Sequence, residues 1–231
     1  MQRGLESLYD FALAHDVEDF IVDAEEAREA VGDEAVARRE VLLVREDSDG
    51  VAIGLYVDAD AVRAMRAGDG DVWSDERFDA ACLVTEGVSH FVYLLFRAAG
   101  EGDVSALELE LQAEVDKYAT GLLATDDSGA LLAGNGAGLV RARERAQRRS
   151  DLVARSRALR RRLFDEAQLL DGAGTEEGDR YRAAIRLASR FARHLEETYV
   201  ERGDLVALSR ALRRFYRLGG QAKITASGRG I

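Results

Sequence analysis

The sequence predicts an α+β, mainly α-helical fold: an N-terminal β-hairpin with helices, followed by a C-terminal helical bundle. Three observations carry this. Two β-branched and apolar runs, Glu40 to Glu46 and Val51 to Val57, flank Asp47-Ser48-Asp49-Gly50, a hairpin-loop signal. Apolar residues elsewhere recur at spacings of three and four, the period of a helix face. A dense glycine segment, Gly134-Asn135-Gly136-Ala137-Gly138, follows Asp126-Asp127-Ser128-Gly129 and breaks both helix and strand. The expected organisation is an acidic α+β unit over 1–125, a glycine-rich linker over 126–138, an arginine-rich helical bundle over 139–218 and a flexible tail over 219–231.

In chain order, Leu5, Leu8, Tyr9 and Ala12 fall at helical spacing, and Phe20-Ile21-Val22 suits a short strand. Asp23 precedes Glu25 and Glu26 as an N-cap with acids in the first turn would. After the hairpin, Asp58 or Asp60 caps a helix through Val62 and Met65 that stops near Gly68. Ser74 opens a longer helix to about Ala99, ended by Gly100 and Gly102. Asp103 or Ser105 opens the next, with the ridge Leu107, Leu111, Val115, Tyr118 and Leu122. The short loop between these two predicts antiparallel packing, a helical hairpin at the centre of the acidic unit. Three amphipathic helices are expected beyond the linker, over 139–170, 180–200 and 204–218. The middle one shows the stripe Tyr181, Ala184, Ala188, Phe191, Leu195 and Tyr199.

Composition narrows the function classes. Apolar residues make up 47% of the 231, enough for a packed core and too many for a disordered chain. The absence of proline excludes collagen-like and proline-rich-linker architectures. Cys82 is the only cysteine, so no internal disulfide is possible and a reducing compartment is expected. Met1 to Phe11 lacks the apolar run of a secretory signal. The most apolar stretch, Ala80 to Phe96, contains Glu86 and His90 and is shorter than the ~20 residues that span a bilayer. The expected location is the cytoplasm, with no membrane partner.

Charge divides along the chain. Residues 1–140 hold 31 acids and 10 Lys+Arg, whereas residues 141–231 hold 12 acids and 22 Lys+Arg. Arg182, Arg186, Arg190 and Arg193 form one stripe, and Arg213, Arg214 and Arg217 stand around Phe215 and Tyr216. Phosphate binding needs such clustered cations, and aromatic planes stack on unpaired bases. The acidic half opposes a polyanion, however, so the acidic half of the same chain or of a second copy, or an acidic protein partner, suits these faces better than nucleic acid.

The sharpest chemical feature lies in Ala80 to Phe96, AACLVTEGVSHFVYLLF. Glu86 and His90 are four apart and share a helix face. A stretch this apolar is buried on most sides, so each group needs a partner. The following helix supplies Glu108, Glu110 and Glu114, then Lys117. Three readings fit. The first is a satisfied buried network, with Glu86 holding His90 and Lys117 neutralising a surplus carboxylate. The second is a metal site of Glu86, His90, Glu110 and Glu114, whose nitrogen and oxygen donors suit Zn, Mn or Fe. The Glu-x-x-x-His spacing departs from the Glu-x-x-His of di-metal bundles, and no His-Glu-x-x-His is present. The third is metal-free acid–base catalysis by Glu86 and His90.

Weaker features have structural readings. The glycine segment before Arg141 and Arg143 could cradle a phosphate but lacks the Lys-Ser/Thr of a P-loop, so a linker is expected. Cys82 is expected to pack as a small core residue. His15 and His194 are expected on surfaces, and Trp73 as a packing anchor.

Overall fold

The computed structural model describes residues 1–33, 37–48, 50–66, 74–100, 102–124, 139–167 and 174–229, with 47, 139–145 and 229 described by backbone alone. The fold is α+β and mainly helical, with one two-stranded antiparallel sheet among the described residues. The chain forms two compact units, Met1–Asp116 and Lys117–Ile231. This division comes earlier than the expected linker. It falls inside the helix Ala106–Leu123, whose last turns pack with the C-terminal unit: Tyr118 donates or accepts at Ser156, 2.8 Å away. The expected linker 126–138, with its glycine segment, and Trp73 lie outside the described residues.

In the N-terminal unit, α1 (Gln2–Tyr9) ends where Asp10 enters the left-handed region at φ 60°. Val17–Phe20 is a 3-10 turn, not part of a strand, and only Ile21 makes a one-residue parallel bridge, to Leu55. Asp16 accepts from the Glu18 amide, 3.1 Å away, which ties the chain into the turn where the apolar run alone suggested extension. Helix α2 (Ala24–Val31) opens with the expected cap. Asp23 accepts from the Glu25 and Glu26 amides, and Glu26 reaches back to the Asp23 amide, a reciprocal capping box.

Strands β1 (Glu40–Asp47) and β2 (Gly50–Val57) pair antiparallel from Glu40↔Val57 to Asp47↔Gly50. Exposure runs along the ribbon. Gly50, Val51 and Ala52 beside the turn are exposed, whereas Leu55, Tyr56, Val57 and Glu40 at the open end are buried. Helix α3 (Ala59–Arg66) is capped by Asp58, which accepts from the Ala61 amide at 3.0 Å.

Helices α4 (Asp75–Ala99) and α5 (Ala106–Leu123) form the expected antiparallel pair. Their direction follows from the cross-links: Tyr93 meets Glu108, and Ser89, earlier in α4, meets Asp116, later in α5. Helix α4 is longer than its apolar stretch and, among the described residues, is the one helix long and apolar enough to cross a membrane. Its residues Gly87 through Tyr93 are all buried within the unit, as those of a core helix are.

In the C-terminal unit, α6 (Leu139–Arg160) continues into a π-helical turn, Arg161–Asp165, and α7 (Glu176–Leu195) into another, Glu196–Val200. Thr175 caps α7 through the Gly178 amide, and Asp204 caps α8 (Leu205–Arg217) through the Ala207 amide. Phe191 and Phe215 stack with centroids 4.1 Å apart, joining the apolar stripes of α7 and α8. The tail expected to be flexible is helical instead. Helix α9 (Gly220–Arg229) buries Lys223, whose ammonium lies over the Phe215 ring at 5.0 Å. Aromatic rings beside a polar segment supplied a partner that helix periodicity could not reveal.

A buried network pins α6 to the turn after α7. Ser156 donates to Glu196 at 2.5 Å, Arg160 donates to the other oxygen at 3.0 Å, and Tyr118 completes the chain through Ser156. Removing the carboxylate takes this acceptor from the buried Ser156 hydroxyl and the half-buried Arg160 guanidinium, so Glu196→Ala is expected to lower the unfolding free energy by about 1–3 kcal/mol. Urea melts of the two proteins measure this. A change below about 1 kcal/mol would show that Arg160 does not depend on Glu196.

Candidate metal centre

The N-terminal unit buries six carboxylates: Glu6, Glu40, Glu108, Glu110, Glu114 and Asp116. Among its described residues the single buried base is His90. Such an excess is costly unless each carboxylate is supplied with donors or a cation. Some are visibly supplied. Asp116 accepts from Tyr9, from Ser89 at 2.5 Å and from Gln112 at 2.8 Å. Glu108 accepts from Tyr93 at 2.6 Å, with the Arg97 guanidinium 3.8 Å away. Glu6 accepts from Gln2, the Leu13 amide and Arg3, and these bonds hold its pKa below the usual carboxylate value against the upward pull of burial.

His90 stands among the others. Its Nδ1 lies 3.4 Å from Glu40 Oε1, and its Nε2 lies 3.6 Å from Glu110 Oε2. The second distance is an ion-pair contact beyond hydrogen-bond range, and Nε2 has no hydrogen-bond partner although it is buried. Glu86, His90 and Glu110 each direct one ligand atom to a common region, all within 4.8 Å of one another. Helix spacing brings Glu86 and His90 to one face, and the antiparallel pairing of α4 with α5 adds Glu110.

Of the four residues expected at this site, the structure thus gathers three. Glu114 is buried one turn beyond Glu110 and stands outside the cluster. Its spacing from Glu110 is right for a shared face, yet α5 is buried all round from Glu110 to Asp116, so a common face does not imply a common neighbour. Glu40 went unrecognised. It opens a strand that looks amphipathic, and only the burial of the hairpin's open end carries its carboxylate inward. One signal was available: Gly87 follows Glu86 in an otherwise bulky helix. A Cβ there would come within 2.9 Å of Glu40 Cγ and 3.0 Å of a Val57 methyl, so the glycine admits the hairpin.

Electrostatics follow from this crowding. Burial raises the pKa of Glu40, and the nearby Glu86 and Glu110 push the same way, while His90 opposes them. For His90, burial disfavours the charged ring, but Glu40 and Glu110 together more than offset it and hold its pKa well above the ordinary value. Ser89, the adjacent hydroxyl, is engaged by Asp116 and not by His90, so no serine–histidine pair forms.

The other residues singled out from sequence are dispersed. Cys82 is half-buried, not a core residue, because it lies on the less covered first half of α4. His15 is exposed, edge-on to Phe20. His194 is half-buried rather than on the surface, since α7 turns it toward Thr198 and Tyr199. Arg182 is half-buried and donates to Asp179 at 2.8 Å, and Arg213 is half-buried. Arg186, Arg190, Arg193, Arg214 and Arg217 are exposed. No family model matches the chain, and no curated protein or solved structure matches it.

The raised pKa of His90 has a definite sign. In metal-free protein its contribution to stability is fully present below about pH 6.5, the unfolded value, and is lost as pH rises through the folded one. Urea melts of chelator-treated protein are therefore expected to show wild type losing stability relative to His90→Gln above pH 6.5, by up to about 1.4 kcal/mol per pH unit. A pH-independent difference would refute a protonated His90.

Proposed function

We propose that this protein binds a transition-metal ion, Zn, Mn or Fe, through Glu86, His90 and Glu110. The observation that carries the reading is the buried Nε2 of His90, without a hydrogen-bond partner and 3.6 Å from Glu110 Oε2, in a cluster whose third member is Glu86. Ligand atoms about 2.0–2.2 Å from a tetrahedral ion stand about 3.4 Å from each other. The 3.6 Å between His90 Nε2 and Glu110 Oε2 is close to that separation. An imidazole nitrogen with carboxylate oxygens suits these metals, and a divalent cation would offset the buried negative charge. Metal would displace the proton that His90 otherwise keeps. The single thiol, Cys82, accords with a reducing, cytoplasmic setting.

Protein purified without a histidine tag, stripped by chelator and titrated with Zn, Mn or Fe(II), is expected to take up one ion per chain. At 100-fold excess over Kd the ion adds about 2.7 kcal/mol of stability, visible as a raised melting temperature. His90→Ala and Glu110→Gln are expected to abolish both effects. Equal melting with and without each metal would overturn the proposal.

A second reading concerns the C-terminal unit. Arg186, Arg190 and Arg193 on α7, and Arg214 and Arg217 on α8, are exposed, and no acid follows Asp204 in the sequence. These faces suit an acidic protein partner, a second copy of the chain included, through charge complementarity. Sedimentation at low salt is expected to show association that disappears at 0.5 M salt and in the triple variant Arg186→Glu, Arg190→Glu, Arg193→Glu. A salt-independent monomer would exclude the self-association form, and the same protein's failure to retain an acidic peptide column would exclude the rest.

A further inference from the structure

Resting on the metal reading, we infer that Glu40 is a positioning residue outside the ligand set. Its carboxylate accepts the Nδ1 proton of His90, directs the Nε2 lone pair toward Glu110 in the cluster that also holds Glu86, and leaves a bound zinc ion one position for water or a small anion.

The two ring nitrogens of an imidazole point away from one another, so a group seated on one cannot share an ion held by the other. Glu40 Oε1 is on the Nδ1 side at 3.4 Å, and Glu110 Oε2 is on the Nε2 side at 3.6 Å. The cluster that converges for an ion contains Glu86, His90 and Glu110, and Glu40 is not part of it. A carboxylate on the far nitrogen fixes the tautomer, orients the ring and raises its basicity. The fold makes a place for that carboxylate. Glu40 is the first residue of β1, paired with Val57, and its Cγ and Oε1 lie 2.9 Å and 3.2 Å from where a Gly87 Cβ would stand. Any larger residue at 87 would displace it. With Glu40 excluded, the ion has three protein ligands, and zinc's fourth position goes to an outside donor.

The test is competitive zinc titration of wild type, Glu40→Gln and Glu40→Ala, each checked for folding by circular dichroism. Glutamine keeps an acceptor oxygen for Nδ1–H, so Glu40→Gln is expected to bind within about threefold of wild type. Glu40→Ala is expected to bind about 10–100-fold more weakly. Nitrogen-15 NMR of zinc-loaded protein is expected to find the His90 proton on Nδ1. The visible spectrum of cobalt-loaded protein is expected to shift when azide is added. Equal, large losses in both variants would make Glu40 a ligand, and no loss in alanine would make it idle. A proton on Nε2, or a cobalt spectrum indifferent to azide, would also overturn the inference. Failure of wild type to bind zinc at all is a separate outcome, which removes the metal reading and this inference with it.

Discussion

The N-terminal unit is governed by the cost of holding carboxylates out of water. An isolated buried carboxylate costs several kcal/mol, so its neighbours must be donors, protons or cations. The unit answers in different ways at different places. Asp116 is surrounded by hydroxyls and an amide, Glu108 by a phenol and a guanidinium, and Glu6 by donors from α1 and the loop that follows. Around His90 the imidazole itself sits among Glu40, Glu86 and Glu110. A base so placed holds its proton firmly, and any ion binding there would have to displace it.

Local chemistry prepares that arrangement. The capping box of α2, the Asp58 cap of α3 and the hairpin turn bring each element to a defined end, so few residues separate them. The hairpin can then present its open end to α4, and Gly87 gives it room. Polar residues at alternate positions of α5, Glu108, Glu110, Gln112, Glu114 and Asp116, are all buried, which places that helix among several neighbours rather than against one. The C-terminal unit is simpler. Its helices bury alanine, leucine and phenylalanine along single stripes, and a deep polar network centres on Glu196.

Much of this was legible in the residues. The hairpin and its loop, the Ser74 start of α4, the ridge of α5 and the stripes of α7 follow from periodicity and end signals, because each is a local property. That Glu86 and His90 share a helix face was legible for the same reason, being a matter of helix spacing, and Glu110 followed from the antiparallel turn; the closest carboxylates to the ring are those of Glu40 and Glu110. What escaped depends on contacts between distant segments. Glu40 is fifty residues from His90, and nothing near it in sequence reports that its end of the ribbon is covered. Phe20-Ile21-Val22 has strand composition, but Asp16 draws the preceding residues into a 3-10 turn. The last helix was hidden because its burial rests on Lys223, a residue that is ordinarily solvated, finding aromatic rings.

The cross-links between α4 and α5 do more than neutralise charge. Two helices joined by apolar side chains alone can slide past each other by a turn, about 5.4 Å, with modest loss, since one leucine contact resembles the next. Here Ser89 is matched to Asp116, His90 to Glu110 and Tyr93 to Glu108, three unlike couplings at successive levels. A displacement of one turn would break all three together. The pair thus has a single vernier setting, and polar groups that contribute little to cohesion select which of several equally greasy alignments the chain adopts.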